Sequence, residues 1–180
     1  LRPDYDDEII EKWIEGKTGF PFLDACMKFL SENGWINFRM RAMIMSFASY
    51  NLWQPWQKTS PRLAELFTDY EPGIHISQVQ MQSGVTGINL PRIYSISKQS
   101  MDQDPDAEWT KNLLPQLNSF DPKLIHNAEL NDSYIPQIVD LKSSAKFARD
   151  QIWGIRKSIE FKNEARKVYL KHGSRRKRNV

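Results

Sequence analysis

Residues 34–46 read GWINFRMRAMIMS, and this stretch restricts the fold more than any other. Arg39 and Arg41 sit two apart inside an apolar helical pattern of Trp35, Ile36, Phe38, Met40, Met43 and Ile44. Residues two apart do not share a helix face, so the two guanidiniums must meet different partners. One of them is then driven toward the interior. A buried arginine persists only when it is paired and hydrogen-bonded. Either a distant segment supplies an acid, or an anionic ligand lies beside the arginine. Asp69 and Glu71, in TDYEPG, are the best-placed acids.

At 180 residues, 40% hydrophobic and 12% aromatic, the chain can bury the core this demands within one domain. Six tryptophans supply flat faces suited to stacking on ring ligands and bases. The single cysteine, Cys26, falls in an apolar helical stretch, which excludes an internal disulfide and argues against a metal site. With no signal peptide and no apolar run of membrane-spanning length, a reducing cytoplasmic setting and no membrane partner are expected. The opening LRPDYDDE reads as the interior of a longer protein. Charge is unevenly placed: residues 141–180 hold 13 of the 25 basic residues against 3 acids, and residues 1–140 hold 12 against 19. A solvated helix face with a disordered tail at 173–180 explains that basic end, and so does a nucleic-acid contact.

Periodicity and punctuation predict an all-α chain. Asp6 or Asp7 caps a helix running through Trp13 and stopping at Gly16. Thr18, Gly19 and Pro21 start a second helix carrying Phe22, Leu23, Cys26, Met27 and Leu30. After the break at Gly34 the arginine helix runs to about Leu52, and Pro55 ends it. Ser60-Pro61 opens a short helix that closes near Phe67. Residues 69–97, rich in Gly, Gln, Ser and Pro, read as ligand-lining loops with room for one helical turn. A short helix follows at 108–114. Residues 141–171 form one long amphipathic helix whose inner stripe is Ala145, Ala148, Ile152, Ile155, Ile159, Ala165 and Tyr169.

Several spaced motifs then occur in order. They are WxxGxTGxPxxDAxM (Trp13 to Met27), GWxxxRxR (Gly34 to Arg41), Ser46-Phe47 with Trp56, FxDYEPG (Phe67 to Gly73), RIY (Arg92 to Tyr94) and DPxxxWxKxxLPxL (Asp104 to Leu117). In that arrangement the chain resembles the photolyase/cryptochrome family, as a divergent bacterial-type member. The likeness covers roughly residues 10–140 and falls in the C-terminal half of the all-helical FAD-binding domain. It implies an irregular multi-helix fold lacking the domain's N-terminal portion, where a loop would hold the cofactor phosphates. An isolated chain of this extent is therefore expected to bind FAD weakly at most and to be inactive by itself. The antenna domain of the same full-length protein would be a partner.

The resemblance also implies roles by position. Arg41 matches the arginine beside the flavin ring and Asp69 its aspartate partner. Glu71 matches a second acid near the cofactor. Trp35 matches a wall of the flavin pocket, although core packing would explain it equally. Asn37 and Phe38 stand where cofactor-facing residues fall, and His75 stands where many members place an asparagine facing flavin N5. Val79 takes the place of the flavin-proximal tryptophan, and Met81 that of a lesion-stacking tryptophan. Ala42 replaces a lesion-pocket methionine, whereas Trp56 matches the middle tryptophan of the electron relay. Catalytic roles therefore fall to Trp56, Met81 and His75. Arg39, Arg92 and Gln80 would contact damaged DNA, although solvated surface accounts for them too.

Repair needs a reduced flavin that passes one electron to a base flipped from the duplex, with the protein supplying orientation and electrostatics. The expected function is therefore light-dependent splitting of pyrimidine dimers. Two alternatives stand beside it: a cryptochrome-like blue-light signalling flavoprotein without repair, and a DNA-binding remnant without flavin.

Overall fold

The computed structural model describes residues 2–86 and 90–172, and among them there are helices and turns but no strand. Helix α1 (Asp7–Ile14) is capped by the Asp6 carboxylate, which accepts from the Ile9 amide. Pro21 starts α2 (Pro21–Asn33), whose fixed φ suits the first helical turn. This helix is buried on nearly every side, with Leu23, Ala25, Cys26, Met27 and Leu30 fully enclosed. It forms the axis around which α1 and the helices that begin at Phe38, Ile96, Glu108 and Pro122 pack.

One carboxylate sits in that axis. Asp24 accepts from the Thr18 amide (2.8 Å), the Thr18 hydroxyl (2.6 Å), the Gly19 amide (3.1 Å) and the Tyr134 hydroxyl (3.0 Å). The TGxPxxD motif is thus a closed knot that pins the loop before α2 to the helix and, through Tyr134, to a segment more than a hundred residues away.

The arginine helix α3 (Phe38–Ser46) is capped by Asn37 and widens at its end into a π-helical turn, Phe47–Asn51. Together they reach Asn51, in keeping with the expected end at about Leu52. Next comes α4 (Trp56–Ala64), with Pro61 inside it, so the expectation that Ser60-Pro61 opens this helix is corrected. The missing Pro61 N–H leaves the carbonyl of Gln57 without its helical donor, which is tolerable because Gln57 is exposed to water.

The largest correction falls on residues 69–97. Instead of loops, Pro72–Gln82 form an eleven-residue helix, α5, started by the Glu71 carboxylate accepting from the Ile74 amide (2.7 Å) with Pro72 at its first position. Its polar composition conceals the helical period; a cap at Glu71 and a proline at the next position are the signals that carry it. Then α6 (Ile96–Gln103), α7 (Glu108–Leu113) and α8 (Pro122–Asn127) close the body.

The C-terminal arm is two helices rather than one: α9 (Leu141–Lys157) and α10 (Ile159–His172). Ser158 takes an extended conformation (ψ 153°), and its hydroxyl accepts from the Phe161 amide, restarting the chain as a cap. Of the anticipated inner stripe only Ala148 and Ile152 are buried; Ile155, Ile159 and Tyr169 are exposed. The tail at 173–180 lies outside the described residues.

Among the described residues the buried arginine is neither Arg39 nor Arg41 but Arg2, 7% exposed, whose Nη2 is left without a hydrogen-bond partner. Its Nε donates to the Ser49 carbonyl (2.7 Å) and its Nη1 to that of Ser83 (3.2 Å), with the guanidinium 4.5 Å from the Trp53 ring. Burial pushes it down to about 10, partly offset by Tyr50. Two carbonyls and two aromatic faces replace the acid that a buried cation was expected to require.

Candidate cofactor site

A cavity of about 340 Å³ opens between the start of α3, the segment before α5, and α5 itself. Trp35, Phe38, Arg41, Asp69, Glu71, His75 and Val79 line it, together with Tyr70, Ile74, Gln78 and Gln82. Its geometry begins at Gly34. That residue closes α2 with φ +68°, and a Cβ built on it would lie 2.3 Å from Thr68 Cγ2. Only glycine permits this approach, in which the Thr68 amide (2.9 Å) and hydroxyl (3.1 Å) both donate to the Gly34 carbonyl. The crossing sets Asp69 beside the first turns of α3.

Arg41 turns toward it. Its Nη2 donates to Asp69 Oδ2 at 2.9 Å, its Nε to the Ile36 carbonyl at 2.7 Å, and its guanidinium lies 4.1 Å from the Phe67 ring centroid. Three contacts fix the cation in one orientation on the cavity wall. Arg39, two residues earlier, points to solvent. The two arginines do serve different surroundings, although Arg41 is half-buried rather than enclosed. An ion pair this exposed contributes only about 0–1 kcal/mol to folding. What it supplies is a positioned charge.

On α5, residues 71, 74, 75, 78 and 82 return at helical spacing to face the cavity, so the stretch read as loop presents a single wall. His75 Nε2 lies 3.1 Å from the Ser60 carbonyl and 3.0 Å from the Ser60 hydroxyl. Its ring stands edge-on to Phe67 and Tyr70. Burial lowers its pKa against the opposing Ser60 hydrogen bond, and the Arg41 charge adds to the lowering, so the imidazole is neutral near pH 7. One more group is incomplete: the Oε1 of Gln78 is buried and has no hydrogen-bond partner.

Several expected residues lie elsewhere. Asn37 is occupied in capping α3, its side-chain oxygen accepting from the Met40 amide (3.1 Å), and it does not line the cavity. Half-buried Met81 and Gln80 also lie off the lining, Gln80 on the far side of α5 from Gln78. Trp56 packs against the main core. Arg92 is exposed; its carbonyl accepts from Ser46 Oγ, two turns along α3 from Arg39. Tyr70 and Ile74, which the sequence reading did not single out, also line the cavity, and Gln78 and Gln82 do so from a helix rather than from the expected loop.

The described residues contain no cluster of three or more His, Cys, Asp or Glu side chains able to hold a metal ion, and no helix long and apolar enough to cross a membrane. The sequence matches the family described as FAD binding domain of DNA photolyase over residues 2–154. The chain belongs to the photolyase/cryptochrome family. It is 34% identical over 140 residues to a chloroplastic/mitochondrial cryptochrome DASH of Oryza sativa subsp. japonica, covering 76% of this chain and 23% of that one. It is 29% identical over 120 residues to a deoxyribodipyrimidine photo-lyase of Thermus thermophilus, covering 66% of this chain and 29% of that one. Among solved structures, an archaeal photolyase of Sulfolobus tokodaii with two FAD molecules superposes with a TM-score of 0.78 at 25% identity, over 84% of this chain and 36% of that one. The chain thus spans about a quarter to a third of its relatives' length. The all-helical architecture is that of the family's FAD-binding domain.

The residues present suit such a group. The cavity wall offers one fixed cation, one buried amide oxygen lacking a donor, and an apolar rim. Trp35, Phe38 and Ile74 on that rim are 51%, 60% and 65% exposed, which is unusual for side chains of their size beside a cavity.

Proposed function

We propose that this chain is the cofactor-facing C-terminal part of a light-dependent DNA repair flavoprotein, binding FAD and acting on pyrimidine dimers. The observation that carries the reading is the Arg41–Asp69 pair on the wall of a cavity with unmet polar and apolar valences. Bound FAD, once reduced and excited, would supply the single electron that splits the dimer.

The chain's own residues do the rest. Arg41 holds a positive charge where negative charge on the cofactor must be stabilised, and Asp69 keeps it from swinging away. Gln78 Oε1, lacking a partner, would accept a hydrogen bond from a donor on the bound cofactor. The neutral His75 adds no competing charge. Trp35 and Phe38 exclude water and offer flat faces to an extruded base. Glu71 holds the α5 wall in register through its cap. The exposed Arg39 and Arg92 meet the DNA, Gln80 lying on the far side of α5 from the cavity, and Trp56 relays electrons to the site from within the core.

The two types of relative favour a second reading. Val79 and Met81 stand where the family's relay and lesion tryptophans usually lie, and several relatives carry the name cryptochrome DASH. A blue-light signalling protein would use the same cavity without repair.

A titration of the isolated chain with FAD, compared with the full-length protein, tests the first step. Weak binding by the chain and stoichiometric binding by the full-length protein is the expected result. Blue-light exposure with dimer-containing DNA then separates the readings: loss of dimers supports repair, and bound flavin with no loss supports signalling. In the repair case Arg39→Ala or Arg92→Ala should weaken damaged-DNA binding by about 1–3 kcal/mol.

A further inference from the structure

The outer face of α9 carries a feature that the cavity does not use. Lys142, Lys146, Arg149, Trp153 and Lys157 recur at steps of four, three, four and four residues, which places them in one line along the helix. All five are exposed, Trp153 at 47%. The buried face, Ala148 and Ile152, lies roughly a third of a turn away and packs against Tyr50. None of the four cations makes a side-chain hydrogen bond or salt bridge within the described residues. Lys142 and Arg149 border a second cavity that Glu129 and Asp140 also line; Asp140 caps α9 by accepting from Ser143 and feels the Lys142 charge, and Asp150 lies on the flank of the stripe.

Folding alone does not account for this line. Charges on a solvated helix normally alternate in sign to gain i,i+4 support, as Lys12–Glu8 and Lys98–Asp102 do in this protein. Here four like charges repel along one face, while the first 140 residues carry a net charge of −7. Such a stripe is a cost unless an anion covers it.

We infer that the outer face of α9 is a nucleic-acid contact surface, separate from the cavity mouth, gripping the sugar-phosphate backbone without regard to sequence or damage. From Lys142 to Lys157 the helix rises about 22 Å, the axial length over which one strand of B-DNA carries about six phosphates. That repeating negative charge matches a line of four cations better than any single small anion does. Trp153, set between Arg149 and Lys157, adds a face on which an unpaired base can stack. The surface would tether the protein to DNA while the cavity searches for its target. The inference needs neither flavin nor light, so it stands or falls apart from the function proposed above.

The test uses the purified protein in darkness with labelled, undamaged 20-mer DNA, single- and double-stranded, at several salt concentrations. In a variant combining K142Q, K146Q, R149Q and K157Q, affinity for both should fall at least about tenfold, and the slope of log K against log salt on duplex should shrink by about three to four. The melting temperature and far-ultraviolet dichroism should stay at parental values, since every changed side chain is solvent-facing. Trp153→Phe should weaken single strands more than duplex and should abolish a fluorescence quench that single strands produce in the parent. Parental affinity and slope in the four-fold variant overturn the inference. So does binding only to phosphatidylserine-containing vesicles, or a doubled mass that the variant returns to that of a monomer, which would give the stripe to a membrane or to a second copy.

Discussion

Two carboxylates set the two regions of this molecule apart. Asp24, inside the α2 axis, is fully buried and accepts four hydrogen bonds, two at each oxygen. Asp69, on the cavity wall, is half open and receives one guanidinium. Around Asp24 all four donors are matched in a site closed to solvent. Around Asp69 the neighbours are held in place, yet Gln78 lacks a donor and Trp35 and Phe38 lack cover. A polar group whose valences are all used maintains a fold; Gln78 combines an unmet valence with an open cavity, which Arg2, Trp13, Tyr50 and Gln99, also carrying unpartnered buried atoms, do not line. Both motifs, TGxPxxD and DYEPG, look alike as short acid-containing signatures, and only satisfaction distinguishes them.

The sharpest way to break the comparison is Asp24→Asn. An amide presents NH₂ where one carboxylate oxygen accepted two donors, so either Thr18 or the Gly19–Tyr134 pair loses its acceptor inside the core. Urea unfolding should show a loss of about 2–4 kcal/mol, the range for orphaning two buried donors. Burial raises the Asp24 carboxyl from 3.8 to about 6, outweighing donors that favour the charged form. The folded state thus binds the proton more tightly than the unfolded chain does. Its contribution is complete below about pH 4 and fades as pH rises through about 6. The Asn variant should lack this slope. A loss under 1 kcal/mol would mean that the knot is an ornament of the fold.

How much of this was legible beforehand depended on where the chain states its own rules. Asp6, Pro21 and Gly34 announce α1 and α2 through local chemistry that tertiary packing did not override. The two-residue spacing of the arginines asked only for an acid, Asp69 or Glu71, or an anionic ligand; that Arg41 meets Asp69 was what the family resemblance implied. By contrast α5 has almost no apolar period, because one face lines a cavity that itself wants Gln and His; its helicity rests on Glu71 and Pro72. Arg2 was invisible for a different reason. Its partners are carbonyls and rings supplied by tertiary structure, and no acid in the sequence points to it. Ser158 splits the last helix by a hydroxyl that competes with the backbone, a choice that periodicity cannot register.

The cavity region should respond in the opposite way to the core. Asp69→Asn removes half of an exposed ion pair, so stability should change by no more than about 1 kcal/mol. Arg41 remains held by the Ile36 carbonyl and the Phe67 ring. Under the proposed function, flavin affinity of the full-length protein should nevertheless drop by about tenfold or more, because Arg41 loses one of its three anchors on the cavity wall. Unfolding and flavin titration on one preparation give both numbers. A large stability loss with unchanged flavin binding would reverse the assignment of the two regions.

The smallest effect is expected at His75, and its sign sharpens the contrast. Burial, aided by Arg41, lowers the imidazole pKa from its usual 6.5. The unfolded chain therefore takes up the proton first, and the contribution of neutral His75 is complete above 6.5 and is lost as pH falls through the lowered value. Its slope opposes that of Asp24, whose contribution fades as pH rises through about 6. Wild-type stability just below pH 6.5 should therefore fall less steeply with rising pH than Asp24 alone dictates. His75→Gln keeps a donor for the Ser60 carbonyl and removes the titration, so the residual curve should fall with rising pH, as Asp24 alone dictates. The Asp24→Asn protein should show the complementary rise. Urea midpoints of the two single variants and the double variant at pH 5.0, 5.75 and 6.5 check this, and a double variant that still slopes would place a third titrating group in the interior.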